Sequence, residues 1–380
     1  MISYGKQYID NDDIKMVLKA CKSDMLTQGT FVRKFENDLE KKLNAKYCIS
    51  VNNGTAALYI AIKTLGLNPG SKVICSPVTF LSSVYINEMN SLIPTFCDIE
   101  LETYNIDLNK VESLLRKDKK VKAMIIVDYA GHPCDWKSIS FLKKKYNLKV
   151  INDNCHALGA KYFSDRGYAA RFADMVTQSF HPVKGITTGE GGAILTNNKK
   201  YYEKLLLYRN HGIVKNKNLQ NKQGLWFYDV KNYGFNFRLT DIQCALGISQ
   251  LKKLNNFVKK RNIIANYYHS KMSDNENIKL PVVKKGYYHS FHLYPVLINF
   301  SKINITKKSF FKKMLQQEIS LQTHYIPIYR QSFMKKYNFN KKNFKNAELF
   351  YSRQVSLPIF FNLSLKKLDF VIKNIKKLLR

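Results

Sequence analysis

Lys184 has the most distinctive chemical setting in this chain. It lies in Ser179-Phe180-His181-Pro182-Val183-Lys184-Gly185-Ile186-Thr187-Thr188-Gly189-Glu190-Gly191-Gly192, a connection rich in hydroxyls and glycines. Two apolar runs flank it, Met175–Phe180 and Ala193–Thr196, and both read as short buried strands. Glycines at 185, 189, 191 and 192 let the backbone turn tightly and approach a ligand. A lysine held against apolar strands is partly desolvated, which favours its neutral amine, the form that attacks a carbonyl. The ordinary reading of any lysine is a solvated surface charge. Lys184 departs from it because its nearest charged neighbour in an otherwise uncharged segment is a single acid, Glu190.

Other residue types around the chain could serve the same chemistry. Asp153 directly follows Val150-Ile151-Asn152, in a segment heading into a sheet, and a buried carboxylate there needs a cationic partner. His156 follows three residues on. It reads equally well as a satisfied interior histidine or as a contact to a bound group. Asn52-Asn53-Gly54-Thr55 stands between the strand Tyr47–Val51 and the helix Ala56–Leu65. Free N–H groups and the helix dipole make that junction an anion site, although an ordinary capped helix, with Asn53 or Thr55 as the cap, looks the same in sequence. Phe80 closes the strand beginning Lys72–Ser76, at the carboxyl end where open α/β sheets bind ligands. His289 and His292 have an H-x-x-H spacing, but no acid or cysteine completes a metal set, so no metal site is expected.

The elements needed to position these residues are legible as patterns. Val121–Asp128, the helix Trp136–Tyr146 and Lys149–Asn152 form a βαβ unit, which demands a right-handed crossover and a parallel pair. Helical periodicity marks Asp12–Cys21, Phe31–Leu43, Lys204–His211 and Asp241–Leu254. From about residue 270 the texture changes to short strands and amphipathic helices, such as Tyr287–Ile298 and Ser309–Glu318, with a closing lysine-rich helix over Leu363–Leu379. The expected division is a large domain over 1–255 and a small α+β domain over 256–380.

The formal net charge of +34 suggests nucleic acid or an anionic membrane when taken alone. The lysines are dispersed, however, and no nucleic-acid-reading motif accompanies them, so a partner of either kind is not expected. A positive field would also attract a nucleotide-diphosphate sugar. Seven scattered cysteines without a C-x-x-C pair point to a reducing cytoplasm. No signal peptide or long apolar span is evident.

The Lys184 stretch closely resembles the lysine motif of the DegT/StrS-type sugar-nucleotide aminotransferases. Further shared motifs are Leu26-Thr27-Gln28-Gly29, Asn53-Gly54-Thr55-Ala56-Ala57-Leu58, Asp128-Tyr129-Ala130-Gly131, Asp153-Asn154-Cys155-His156-Ala157 and Tyr233–Gln243. His324-Tyr325-Ile326-Pro327 completes the set. The resemblance covers essentially the whole chain, with the motifs in family order. It implies the aspartate-aminotransferase fold (fold type I): α/β, with a mainly parallel seven-stranded sheet flanked by helices and a smaller C-terminal domain. It also implies pyridoxal 5′-phosphate, carried by Lys184 as a Schiff base. Ser179, Gly54 and Thr55 would hold the phosphate, Phe80 would stack on the pyridine ring, and Asp153 would pair with the ring nitrogen. His156 would contact cofactor or substrate, and Asn236 would reach the phosphate of a partner subunit in a homodimer. Thr27, Gln28, Arg238 and His324 would face the substrate.

The resemblance is strongest to the branch that aminates C4 of nucleotide-linked 4-keto-6-deoxy N-acetylhexosamines in the pseudaminic acid pathway, with L-glutamate as donor. A dehydratase branch replaces the lysine with histidine and is disfavoured by Lys184. Asn154-Cys155 departs from the smaller residues common there. The alternatives are amination of a 3-keto or other nucleotide sugar and a non-catalytic cofactor-binding protein.

Overall fold

In the computed structural model, residues 1–379 are described. The main sheet is built from β1 (Tyr47–Val51), β2 (Lys72–Cys75), β3 (Ile93–Phe96), β4 (Val121–Val127) and β5 (Lys149–Asp153), followed by β7 (Met175–Ser179) and β8 (Gly192–Thr196). Between β5 and β7 the two-residue strand β6 (Lys161–Tyr162) pairs outside the sheet with Tyr287–Tyr288. The seven strands run in the order β1-β8-β7-β5-β4-β2-β3. β3, β2, β4, β5 and β7 are mutually parallel, whereas β8 runs antiparallel to both β7 and β1. The fold is therefore the α/β architecture implied by the resemblance.

Burial on both faces explains the unbroken apolar character of the central strands. In β4, Met124 and Ile126 join one core with Ile74, Val150 and Trp136, while Ala123 and Ile125 join the opposite core with Val73, Ile151 and Ile194. Helices α1 (Asn11–Cys21), α2 (Thr30–Leu43), α3 (Gly54–Thr64) and α4 (Ser82–Met89) start where local chemistry dictates. Asp10 and Asp13 form a capping box on α1, and Asn53 accepts from the Ala56 N–H to cap α3. Asp153 ends β5, where it pairs in parallel with Val127 at the end of β4.

The helix expected over Asp241–Leu254 continues unbroken to Met272, with a Thr240–Gln243 capping box at its start. The division expected at residue 255 thus falls inside one helix. A third core centres on Tyr268, Tyr294, Phe310 and Leu368, around a three-stranded sheet formed by Ile278–Lys279, Tyr294–Ile298 and Gln354–Leu357. Ile2 joins this core through backbone pairing with Glu318 and Ser320. Conversely, Tyr329, Ala347 and Phe350 pack into the core that includes Val73 and Ile125.

Candidate active site

The carboxyl ends of β2, β4, β5 and β7 converge on one edge of the sheet, and each delivers a functional group there. Lys184 lies in the turn that links β7 to β8. Thr188 N–H and the Thr187 hydroxyl both donate to the Phe180 carbonyl, at 3.0 Å each, and the Glu190 carbonyl accepts from the Thr188 hydroxyl at 2.7 Å and from Gln243 at 2.8 Å. These bonds hold the glycine-rich loop in shape. Burial pushes the Lys184 ammonium below the usual lysine range, and the neighbouring Cys155 and Asp153 oppose that shift without cancelling it. Burial holds His156 and His324 below the ordinary histidine range, and the charge of Lys184 adds to the shift of both.

Asp153 is buried, and the hydroxyl of Ser83 on α4 donates to its Oδ2 at 2.6 Å. The Thr79 hydroxyl lies 3.2 Å from that of Ser83, and the Cys155 N–H donates to Oδ1 at 3.3 Å. Sequence reading missed Ser83. Its only signal is Thr79-Phe80-Leu81-Ser82-Ser83, a hydroxyl-rich helix start beyond a strand, and nothing in it names Asp153 as the acceptor. The unusual Asn154 is explained by its surroundings. Its amide donates to Asp128 at 2.9 Å and to Tyr168 at 3.0 Å, and its oxygen accepts from Gln178 at 2.7 Å. Asp128 also accepts from Tyr168, Trp136 and the Cys134 N–H, so this fully buried carboxylate has four donors. Burial, then the charge of Asp153, hold the Cys155 thiol well above its ordinary range.

His156 is buried, with Nε2 3.0 Å from the Tyr325 hydroxyl. Its ring packs on that of His292 at 4.4 Å. His289 and His292 therefore form no metal pair with each other: His292 joins the His156 side of the site, while His289 stacks on Phe291 at 4.0 Å. His324 is buried against Tyr4, with Nδ1 2.9 Å from the Ser356 hydroxyl and its own backbone N–H donating to Gln354. Phe80 is half exposed, edge-on to Tyr325 at 6.1 Å.

At the start of α3, Gly54 lies directly against Ser179. A Cβ at 54 would come within 2.9 Å of the Ser179 Cβ and 3.3 Å of its Oγ, so only glycine leaves this cradle open. Thr55 follows in the first turn, where backbone N–H groups lack intrahelical partners. This geometry fits a phosphate. Lys184, Asp153 and an aromatic face at Phe80 fit the rest of pyridoxal phosphate.

The remaining candidates form a separate, surface-lying group. Thr27 pairs with Thr240, and Gln28 beside it is exposed with a φ of 57°. Arg238 donates to Asn210 at 2.6 Å, and Asn210 pairs with the exposed Asn236. The next residue, Phe237, accepts from the Asn52 N–H at 2.9 Å, which ties this rim to the phosphate turn. A separate concavity of about 720 Å³ is lined by Lys15, Lys19, Lys22 and Lys34 and includes none of these groups in its lining.

The DegT/DnrJ/EryC1/StrS aminotransferase family matches residues 7–376. The chain belongs to that family. It is an aminotransferase, and its cofactor is pyridoxal 5′-phosphate. A relative from Campylobacter jejuni, named UDP-4-amino-4,6-dideoxy-N-acetyl-beta-L-altrosamine transaminase, is 38% identical over 98% of this chain and 96% of its own. The solved structure of Helicobacter pylori PseC, described as an aminotransferase involved in pseudaminic acid biosynthesis, superposes with a TM-score of 0.91. That similarity covers 100% of this family member and 99% of PseC, at 32% identity. A GDP-perosamine synthase from Escherichia coli O157:H7 is 29% identical over 92% of this chain and 91% of its own.

Proposed function

We propose that this enzyme moves an amino group from L-glutamate to C4 of a nucleotide-linked 4-keto-6-deoxy sugar, with UDP-2-acetamido-2,6-dideoxy-hexos-4-ulose as the favoured acceptor. The product would feed surface polysaccharide or nonulosonic acid synthesis. The observation that carries the reading is the presence of a desolvated lysine, Lys184, and a buried carboxylate, Asp153, at the carboxyl edge of one sheet. The name of the Campylobacter relative supports the choice of sugar.

Bound pyridoxal phosphate supplies an aldehyde that exchanges amines and a ring that accepts electrons from the donor's α-carbon. Lys184 Nζ would hold it covalently and, as a free amine, would be the base that removes the proton from the donor's α-carbon and the acid that delivers one to the sugar's C4. Burial favours this role because it raises the neutral fraction of the amine. The Asp153 carboxylate keeps a proton on the ring nitrogen, and Ser83 keeps that carboxylate aimed. Ser179, Gly54 and Thr55 bind the phosphate. Phe80 covers the ring and His156 contacts the bound group. Thr27, Gln28, Arg238 and His324 bind the sugar nucleotide.

The working unit in this reading is a homodimer, in which exposed Asn236 donates to the partner's cofactor phosphate. The test of function is spectroscopic. Glutamate should discharge the visible band of the lysine-bound cofactor, and the UDP-linked keto sugar should restore it. Restoration only by a GDP- or dTDP-linked keto sugar would overturn the nucleotide assignment. The test of shared sites is complementation. Lys184→Ala subunits mixed with Asn236→Asp subunits should recover activity above either parent, since one site of the mixed dimer is intact. No recovery despite proven subunit exchange would refute it.

A further inference from the structure

The hydrogen bonds around His156 have a direction, and that direction reaches a residue with no role so far. The Ala130 N–H donates to His156 Nδ1 at 3.3 Å. Ala130 has a φ of 56°, a left-handed conformation that alanine rarely adopts, and it turns this N–H toward the imidazole. A ring nitrogen that accepts carries no proton, so the neutral imidazole bears its proton on Nε2. That Nε2 lies 3.0 Å from the Tyr325 hydroxyl. The imidazole therefore donates and the phenol oxygen accepts. The imidazole is kept neutral by burial, with the Lys184 charge adding to the effect, and the His292 ring packs against it at 4.4 Å.

The phenol keeps its own proton. Among the described residues, no side chain or carbonyl accepts it; burial, then the Asp153 carboxylate, hold the phenol well above its ordinary range, and its ring packs beside Phe80. We propose that Tyr325 is a ligand-contacting residue, whose hydroxyl donates a hydrogen bond to an oxygen of the molecule held between Phe80 and Lys184. Ala130 and His156 are the positioning residues that set its direction. The acceptor chemistry is an oxygen lone pair, on either the hydroxyl of the cofactor ring or the carbonyl of the keto substrate. The inference rests on the proposed reaction for the second source only.

Tyr325→Phe removes the donor and keeps the ring. If the acceptor is on the cofactor, the apoprotein should bind pyridoxal phosphate about tenfold more weakly and its visible band should shift. If the acceptor is on the sugar, cofactor binding and the glutamate half-reaction should be unchanged, while the keto-sugar half-reaction slows about tenfold. Incorporating 3,5-difluorotyrosine at position 325, a stronger donor of the same shape, should move whichever quantity responds in the opposite direction. Thermal unfolding of each variant separates loss of fold from loss of contact. Unchanged cofactor affinity, spectrum and both half-reactions in a folded Tyr325→Phe protein would overturn the proposal. So would a fluorotyrosine effect in the same direction as Phe. If the wild type ignores the keto sugar, the substrate reading fails, yet the cofactor and glutamate measurements still decide whether Tyr325 donates.

Discussion

Ser83→Ala removes one oxygen and should slow the glutamate half-reaction sharply. The Ser83 hydroxyl meets Asp153 Oδ2 at 2.6 Å, inside the range of charge-assisted O–H···O⁻ bonds, and both residues are buried. A hydrogen bond to a charged group contributes about 1.5–3 kcal/mol. Asp153 retains only the longer contact from the Cys155 N–H at 3.3 Å, and water has little access to replace the hydroxyl. If that energy is expressed when the carboxylate holds the ring proton, the half-reaction slows by about tenfold to about 150-fold. The assay is rapid mixing of cofactor-loaded enzyme with glutamate, following decay of the visible band in a single turnover. Ser83→Thr keeps a hydroxyl and should recover most of the rate, whereas a role in packing alone would not separate Thr from Ala in this way. A Ser83→Ala rate within about threefold of wild type, with equal cofactor binding, would refute the argument, because about 0.6 kcal/mol is too little for a buried charge-assisted bond.

Asp153→Asn keeps the shape but loses the charge that holds the ring proton; single-turnover kinetics should show a loss of about a thousandfold or more, about 4 kcal/mol, and a loss under about tenfold would count against Asp153 as the ring partner. Gly54→Ala should weaken cofactor affinity, measured by titrating the apoprotein, because its Cβ would fall within 2.9 Å of Ser179 Cβ; unchanged affinity would remove Gly54 from the phosphate cradle. Stability should fall as pH drops below about 6.5, the ordinary histidine value. Burial holds His132 down at about 4 and His324 at about 3, and pushes His156, His289 and His292 well down, so the unfolded chain takes up the protons first. Their stabilisation is complete above the unfolded value and is lost progressively toward the folded ones, at up to about 1.4 kcal/mol per histidine per pH unit. Urea midpoints measured between about pH 7 and 5.5, above most carboxylate titrations, should decline; a flat profile would show that these histidines are not held neutral.

What the sequence determined by itself were the groups whose meaning is local. Lys184 in its glycine-rich loop, Asp153 at a strand end and Gly54-Thr55 opening a helix are each defined by neighbours within a few residues. The strands were legible for the same reason: a central parallel strand such as Val121–Val127 is buried on both faces and must be apolar almost throughout. What tertiary structure decided were the pairings across long separations. Ser83 and Asp153 lie 70 residues apart in sequence, and His156 and Tyr325 lie 169 apart, so no periodicity links them. The H-x-x-H spacing gave His292 no role, since no acid or cysteine completes a metal set, yet folding packs its ring against His156 from another part of the chain. The helix read over Asp241–Leu254 runs on to Met272, because buried residues recur along it to its end, and that extent was not legible from the Thr240 cap alone. Local sequence supplies the reactive group and the turn that presents it. The partner that orients each group comes from packing, because a hydrogen bond requires proximity in space and sequence separation carries no information about it.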